Sequence, residues 1–416
     1  MPTFQKVRLG DVAQEQRDTY TPSVLEDLPY IGLEHIEQQT LRLSGIGKSS
    51  DAMSQKKKFI AGDILYGSLR PYFRKVYKPK FNGVCSTDIT VLKPKNNCSN
   101  AYLFYLIASP WFIAKASGAG TGTKMPRAGW KMVKDFMFDI PDLPTQTRIA
   151  DVLSAYDDLI ENNEKRIKVL EQMAQLLYTE WFVKFEFPIS LCHPEAPAEG
   201  SQGYKSSGGK MLDTHTEYGK IPEGWEVKKL GDIVSAQYGY TASAVNNNAC
   251  PKYLRGTDIN KTSFIDWHYV PNCEISDADF KKYKVKKGGV FIIRMADPGK
   301  IGMCEREINA VFASYLMRLN IKGDITPYYL YYFVNSERYQ KFILGASNGT
   351  TRKSINSQQV GAINIIIPPQ DILNNFELRI GAFRETLNNL IQQNNFLSQT
   401  RDLLIPQLVT GKRELK

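Results

Sequence analysis

A chain of 416 residues is too long for one ordinary core, so two or more domains are expected. Hydrophobic residues at 42% and charged residues at 23% exclude the disordered class, and a net charge of +10 favours a polyanionic partner. Six scattered cysteines form no CxxC pair, which excludes a zinc ribbon, and no apolar run approaches membrane-spanning length, so a soluble cytoplasmic protein with reduced thiols is expected.

In chain order, residues 1–147 alternate short β-rich runs such as "GDILYG" and "DITVLKP" with turn signals, and one helix is predicted around Tyr102 to Ala116. The stretch "GTGTKMPRAGW" follows, with the look of a phosphate cradle. Its context argues against that. A dinucleotide loop must leave a strand and open a helix, whereas this one leaves a helical pattern and meets Pro126; the GxxxxGK[ST] spacing is also absent.

Residues 148–187 carry a seam in alternating steps of four and three. It runs Ile149, Leu153, Tyr156, Ile160, Asn163, Ile167, Leu170, Ala174, Leu177, Trp181, the spacing that keeps one stripe against a partner helix. Val152, Leu159, Val169, Met173, Leu176 and Val183 widen the apolar surface beyond a two-stranded seam. That extra face is expected to cover another surface, either its own globular domain or a separate subunit. Residues 188–220, rich in Gly, Ser, Pro and charge, are expected to be a flexible linker.

Residues 221–371 then repeat the opening. "VRLGDVAQ" returns as "KKLGDIVS", "KKKFIAGDILYGSLRP" as "KYKVKKGGVFIIRMAD", "NAYLFYLIASPWF" as "TPYYLYYFVNSER". Gly122 and Pro141 recur as Gly349 and Pro368 at one constant spacing, which marks an internal duplication. Only Gly122 of the loop glycines survives, so the nucleotide reading falls. Residues 372–408 repeat the seam as Phe376, Ile380, Phe383, Leu387, Leu390, Asn394, Leu397, Arg401, Leu404, Leu408, and 409–416 are a tail. The seam asparagines Asn163 and Asn394 are candidates for fixing register.

The predicted fold is α+β: two globular α/β domains separated by a pair of long antiparallel coiled-coil helices, with a pseudo-twofold duplication. Helices of roughly 30 to 35 residues would span about 45 to 50 Å. Successive major-groove faces recur about every 34 Å, so two heads on such a ruler would reach two half-sites with an unread gap between them. Groove-reading and phosphate-anchoring chemistry is present in both copies. The DNA-binding candidates are Ser68, Arg70, Tyr72, Arg74, Lys75, Thr121, Thr123, Lys124 and Arg127 in the first copy. In the second they are Arg294, Lys300, Asn348, Thr350, Thr351, Arg352, Lys353 and Asn356.

No catalytic constellation accompanies them. "IIIPPQ" has Ile367 where a base-flipping methyltransferase places Asn or Asp, "DPGK" lacks a second acidic partner, and His35, His193, His215 and His268 are isolated. No metal ligand set is read. A coiled-coil scaffold with two protein- or RNA-binding heads is the rival reading.

"QTRIADVLSAYDDLIENNEKRIKVLEQMAQLLYTEWF", then "KFEFP", "GKIPEGWEVKKLGDIV" and "LLIPQLVTGK", resemble the DNA-specificity subunit of type I restriction–modification systems across nearly the whole chain. The resemblance implies a non-catalytic subunit that recognises a bipartite asymmetric site in double-stranded DNA, one half-site per domain. It also implies recruitment of two modification subunits, which bind S-adenosylmethionine and methylate adenine, and of restriction subunits that translocate and cleave. No cofactor is then expected on this chain. The stripe of Val152, Leu159, Val169, Met173 and Leu176 would suit docking of the modification subunits, and the Gly-Thr loop would face DNA.

Overall fold

The computed structural model describes residues 4–413 apart from 23–25, 52–53, 121–124, 192–202, 261 and 348–352. The chain forms two compact units: residues 1–162 with 393–416, and residues 163–392. Each unit contains one α/β domain, one segment of the helix Leu143–Tyr178 and one segment of the helix Gln370–Val409.

The first unit is built on a four-stranded antiparallel sheet in the order Ala13–Glu15, Ile89–Pro94, Ile64–Gly67, Val76–Tyr77. A second sheet joins Thr19–Tyr20, Lys56–Phe59, Gly83–Cys85, Pro29–Ile31 and Gly47–Lys48, and Gln5–Arg8 pairs antiparallel with Met137–Ile140. One face of the four-stranded sheet buries Ile64, Tyr66, Val76 and Leu92 against helices Asn100–Ala108 and Pro110–Ala119, and its other face meets the second sheet through Leu65, Ile89 and Val91 with Ile31, Phe59 and Cys85. Ser109 separates those two helices because its hydroxyl accepts from the Phe112 amide and Pro110 fits the first turn.

The second unit repeats the four-stranded sheet and the outer strand pair, and has Lys252–Leu254 parallel to Ala310–Phe312 where the first has its five-stranded sheet. Its sheet runs Val234–Tyr238, Leu316–Ile321, Val290–Ile293, Ile301–Met303, and Glu226–Lys229 pairs with Asn364–Ile367. Helices Pro327–Asn335 and Glu337–Ala346 are divided by Ser336, which accepts from the Tyr339 amide as Ser109 does from Phe112. Gly10 and Gly231 sit in matching close approaches: a Cβ on either would meet a backbone oxygen, Lys134 O at 3.2 Å or Gly361 O at 3.3 Å.

The helix pairing is antiparallel within each unit. In the first, Ile149, Leu153 and Ile160 are buried, Ile405, Leu408 and Val409 join the Ile149–Leu153 core, and Asn394 donates from Nδ2 to the Ile160 carbonyl at 3.5 Å. In the second, Ile167 packs with Leu387, Leu390 and Ile391, while Ala174, Tyr178 and Trp181 share a core with Phe376 and Ile380. Both seam asparagines, Asn163 and Asn394, are buried. Tyr156, Leu170, Leu177, Phe383, Leu397 and Leu404 are half-buried along the same stripe. At the last turn the inward position is Ile405 rather than Leu404, because that turn closes over the domain core as well as the partner helix.

"DIPDLPTQ" starts a helix earlier than its prolines suggest. The Asp142 carboxylate accepts from the Thr145 amide, and Pro144 falls in the first turn, where no amide is needed, so the helix begins at Leu143. It ends in one π-helical turn, Thr179–Val183, whose rings meet the core: Phe182 lies 4.7 Å from Tyr329 and 4.8 Å from Phe376.

The connector differs from a featureless linker in its described part. Tyr204 stacks on Phe187 at 4.8 Å, Met211–Asp213 pairs with Lys220–Pro222, and Tyr218 donates to the Asn364 carbonyl at 2.8 Å beneath the Arg338 guanidinium. A few aromatic residues inside a polar segment suffice to fold it onto the second unit.

A candidate nucleic-acid interface on each unit

In the first unit, the strand Ile64–Gly67 continues into Ser68, Leu69 and Arg70, and this extension pairs with the segment that follows the Gly-Thr loop. The Ala128 amide donates to the Ser68 carbonyl at 2.9 Å and the Arg70 amide to the Pro126 carbonyl at 2.8 Å. Arg70 holds φ 51, a left-handed conformation that turns the chain sharply at this point. The residues Thr121, Thr123 and Lys124 lie outside the described residues; the segment after them, Pro126–Ala128, is held by this pairing.

The second unit builds the same clasp. The Ile355 amide donates to the Arg294 carbonyl at 2.9 Å, the Ala296 amide to the Lys353 carbonyl at 3.1 Å, and Ala296 is left-handed at φ 73. Asn348, Thr350, Thr351 and Arg352 lie outside the described residues; Lys353 is exposed at the edge of the clasp.

Side chains on the two clasps differ. Arg127 is 60% exposed and pairs with Asp88 at 3.1 Å, and Tyr72 is exposed with its ring edge-on to Phe73. Arg294 lies 4.7 Å above the Tyr238 ring and donates to the Ser314 carbonyl at 3.4 Å, while Lys300 is exposed. Arg70 and Arg294 each keep a buried Nε with no hydrogen-bond partner among the described residues.

Four predicted site residues are engaged by the protein itself. Arg74 is buried, bidentate to Asp402 at 3.0 and 3.1 Å, with its Nε on the Ala108 carbonyl at 2.7 Å. Burial of a guanidinium requires such a set of acceptors, and the set leaves nothing for a groove. Lys75 donates to the Leu33 carbonyl, and burial pulls its ammonium below the usual lysine range. Ser68 is buried with its hydroxyl on the Asp88 carbonyl at 2.7 Å. The Asn356 side chain caps the helix Ser357–Gly361 by accepting from the Gln359 amide at 2.9 Å.

Tyr238 and Tyr315, absent from the sequence candidates, stand exposed beside Arg294, whose amide donates to the Tyr315 carbonyl at 2.9 Å. Tyr253, Arg255, Asn260, Met295 and Tyr315 line an open cleft of about 420 Å³ next to the second clasp. Isolated tyrosines at strand ends carry no periodic signal, so only the fold brings them to Arg294. Among the described residues no cluster of three or more His, Cys, Asp and Glu could hold a metal, and no helix is long and apolar enough to cross a membrane.

The predicted docking stripe is largely open. Leu159 in the first unit is 52% exposed, and Val169, Met173 and Leu176 in the second are exposed as well; Val152 instead packs against the first unit's core.

A family model for the type I restriction modification DNA specificity domain matches residues 1–172 and again 222–395. The type I restriction enzyme HindI specificity subunit of Haemophilus influenzae is 25% identical over 99% of this chain and 100% of its own length. The MjaIX specificity subunit of Methanocaldococcus jannaschii is 28% identical over 77% of this chain and 70% of its own. A crystal structure of a type I restriction–modification S subunit from M. genitalium superposes with a TM-score of 0.56 at 12% identity, covering 100% of this chain and 97% of that one. With both copies of the repeat matched, the chain belongs to the family of type I restriction–modification DNA specificity proteins.

Proposed function

We propose that this chain is the non-catalytic subunit that chooses where a type I restriction–modification enzyme acts on double-stranded DNA. Each unit reads one half of an interrupted, asymmetric sequence, and the paired helices set the unread gap. The observation that carries this reading is the repeated clasp: Ser68 with Ala128 and Arg294 with Ile355 hold the same backbone geometry beneath different side chains. One scaffold with two sets of exposed groups is what two unlike half-sites require.

In this reading Arg127 and Arg294 approach base edges or phosphates, Lys300 and Lys353 anchor the backbone, and Tyr72 offers an apolar face. The Gly-Thr loops, with Thr121, Thr123, Lys124, Thr350, Thr351 and Arg352, lie against the sugar–phosphate chain. The exposed Leu159, Val169, Met173 and Leu176 seat two modification subunits, which hold S-adenosylmethionine and methylate adenine; restriction subunits join that assembly. The family membership disfavours a scaffold for proteins or RNA.

Mapping methylated adenines in DNA from cells carrying the complete system tests this. One interrupted motif with constant spacing is the expected result. Methylation without a bipartite motif, or a motif unchanged when this chain is replaced by a relative, would overturn it. In vitro, binding should fall steeply with salt yet keep its sequence preference.

A further inference from the structure

Each recognition domain rests on its helix segment through a matching charged side chain, Lys80 in one unit and Glu305 in the other, and the sign of that charge is reversed. On the domain side the alignment is fixed by a backbone bond. The amide of left-handed Gly62 donates to the Pro79 carbonyl at 2.8 Å, and that of left-handed Gly288 to the Cys304 carbonyl at 2.7 Å. The next residue is Lys80 in one unit and Glu305 in the other. On the helix side, the repeat spacing that pairs Ser109 with Ser336 also pairs Asp157 with Arg384, Asp158 with Glu385 and Glu161 with Asn388. The sign therefore inverts at the first of these positions, where Asp157 accepts from Tyr105 and Arg401.

In the first unit Lys80 binds Glu161 and lies 3.9 Å from Asp158, so the domain is positive and the helix negative. Half-buried Lys78 adds a second cation, 5.4 Å above the Phe104 ring. In the second unit Glu305 accepts from Arg384 at 2.6 and 2.8 Å and from Asn388 at 3.0 Å, with both members of the ion pair almost fully buried. The Arg384 guanidinium lies 5.5 Å from the Tyr331 ring, the repeat counterpart of Phe104. The ring therefore receives its cation from the domain in one unit and from the helix in the other.

We infer that this inversion is a docking key: each recognition domain is admitted to its own helix segment and refused by the other, including the matching segment of a second copy of the chain. The first domain placed on the second seat would set Lys78 and Lys80 toward Arg384, which has lost its buried counter-ion. Uncompensated buried charge is among the most destabilising changes a fold can meet. The converse exchange sets Glu305 against Asp157, Asp158 and Glu161. The inference concerns assembly of the chain and does not depend on what the domains read.

The test is a pair of full-length chimeras in which residues 226–369 are replaced by residues 5–142. One keeps the native second helix; the other carries Arg384→Asp and Asn388→Glu. Thermal unfolding should place the first several degrees below the second, or leave only the second soluble. Equal melting overturns the key. Should neither chimera fold, the natural chain decides: Glu305→Lys should lower the melting temperature sharply, and adding Arg384→Asp should restore at least half of the loss. No restoration overturns the key.

Discussion

The amide of Ile355 donates to the carbonyl oxygen of Arg294 at 2.9 Å, and Ala128 and Ser68 make the same bond in the other copy. A backbone clasp of this kind leaves its side chains free to vary. Replacing Arg294 with Ala should weaken binding of the assembled enzyme about 5- to 100-fold at one half-site only, the range for losing one good base contact. Arg127→Ala should act on the other half-site only. Competition binding with DNAs altered in one half at a time checks both; a uniform loss across all sequences would reassign these arginines to phosphate anchoring.

Exposed and buried apolar residues on the same helices should separate cleanly. Phe376 is fully buried among Tyr178, Trp181, Phe182 and Tyr332, so Phe376→Ala should cost about 3–5 kcal/mol by denaturant unfolding. Met173→Ser and Leu176→Ser should leave the unfolding curve within about 0.5 kcal/mol, because those side chains already face solvent. The same two variants should lose co-elution with the modification subunits.

Glu377 accepts from the Tyr328 amide at 3.1 Å, and its burial raises the carboxyl above the usual glutamate range. A carboxyl raised in the folded state favours folding below its unfolded value of about 4.3 and loses that contribution as pH rises through the folded value. At neutral pH it therefore costs stability. Glu377→Gln, which keeps the acceptor, should melt higher than the parent at pH 7, and the gap should close below about pH 4.

Burial pushes the thiols of Cys85, Cys98 and Cys304 up to about 12 and that of Cys273 to about 11. At pH 8 these four should resist iodoacetamide in the folded chain and react once denatured, because only the thiolate attacks. Among the cysteines of the described residues, half-exposed Cys250 should label first. Peptide mapping after a short native pulse distinguishes them.

The duplication, the strands and the two seams were legible because each is a local pattern recurring at a constant spacing. Side-chain destinations were not. Arg70 and Arg74 look alike in "SLRPYFRKVYKPK", yet Arg74 finds Asp402 at a sequence separation of 328 residues, which no local pattern encodes. Ser68 and Lys75 lie in the same run, but carbonyl groups of Asp88 and Leu33 hold them inward. Tyr204 and Tyr218 turned part of a polar connector into structure, since two rings with docking sites outweigh a composition that favours solvent.

The first unit is closed by residues near the opposite end of the chain: Ile405, Leu408 and Val409 complete its core, and the Tyr102 hydroxyl donates to the Val409 carbonyl at 3.1 Å. During synthesis, then, this domain waits with Leu153 and Tyr102 lacking that cover until the helix Gln370–Val409 has left the ribosome. Truncation before Ile405 would therefore strip apolar cover from a domain whose own residues lie more than 240 positions earlier in the sequence.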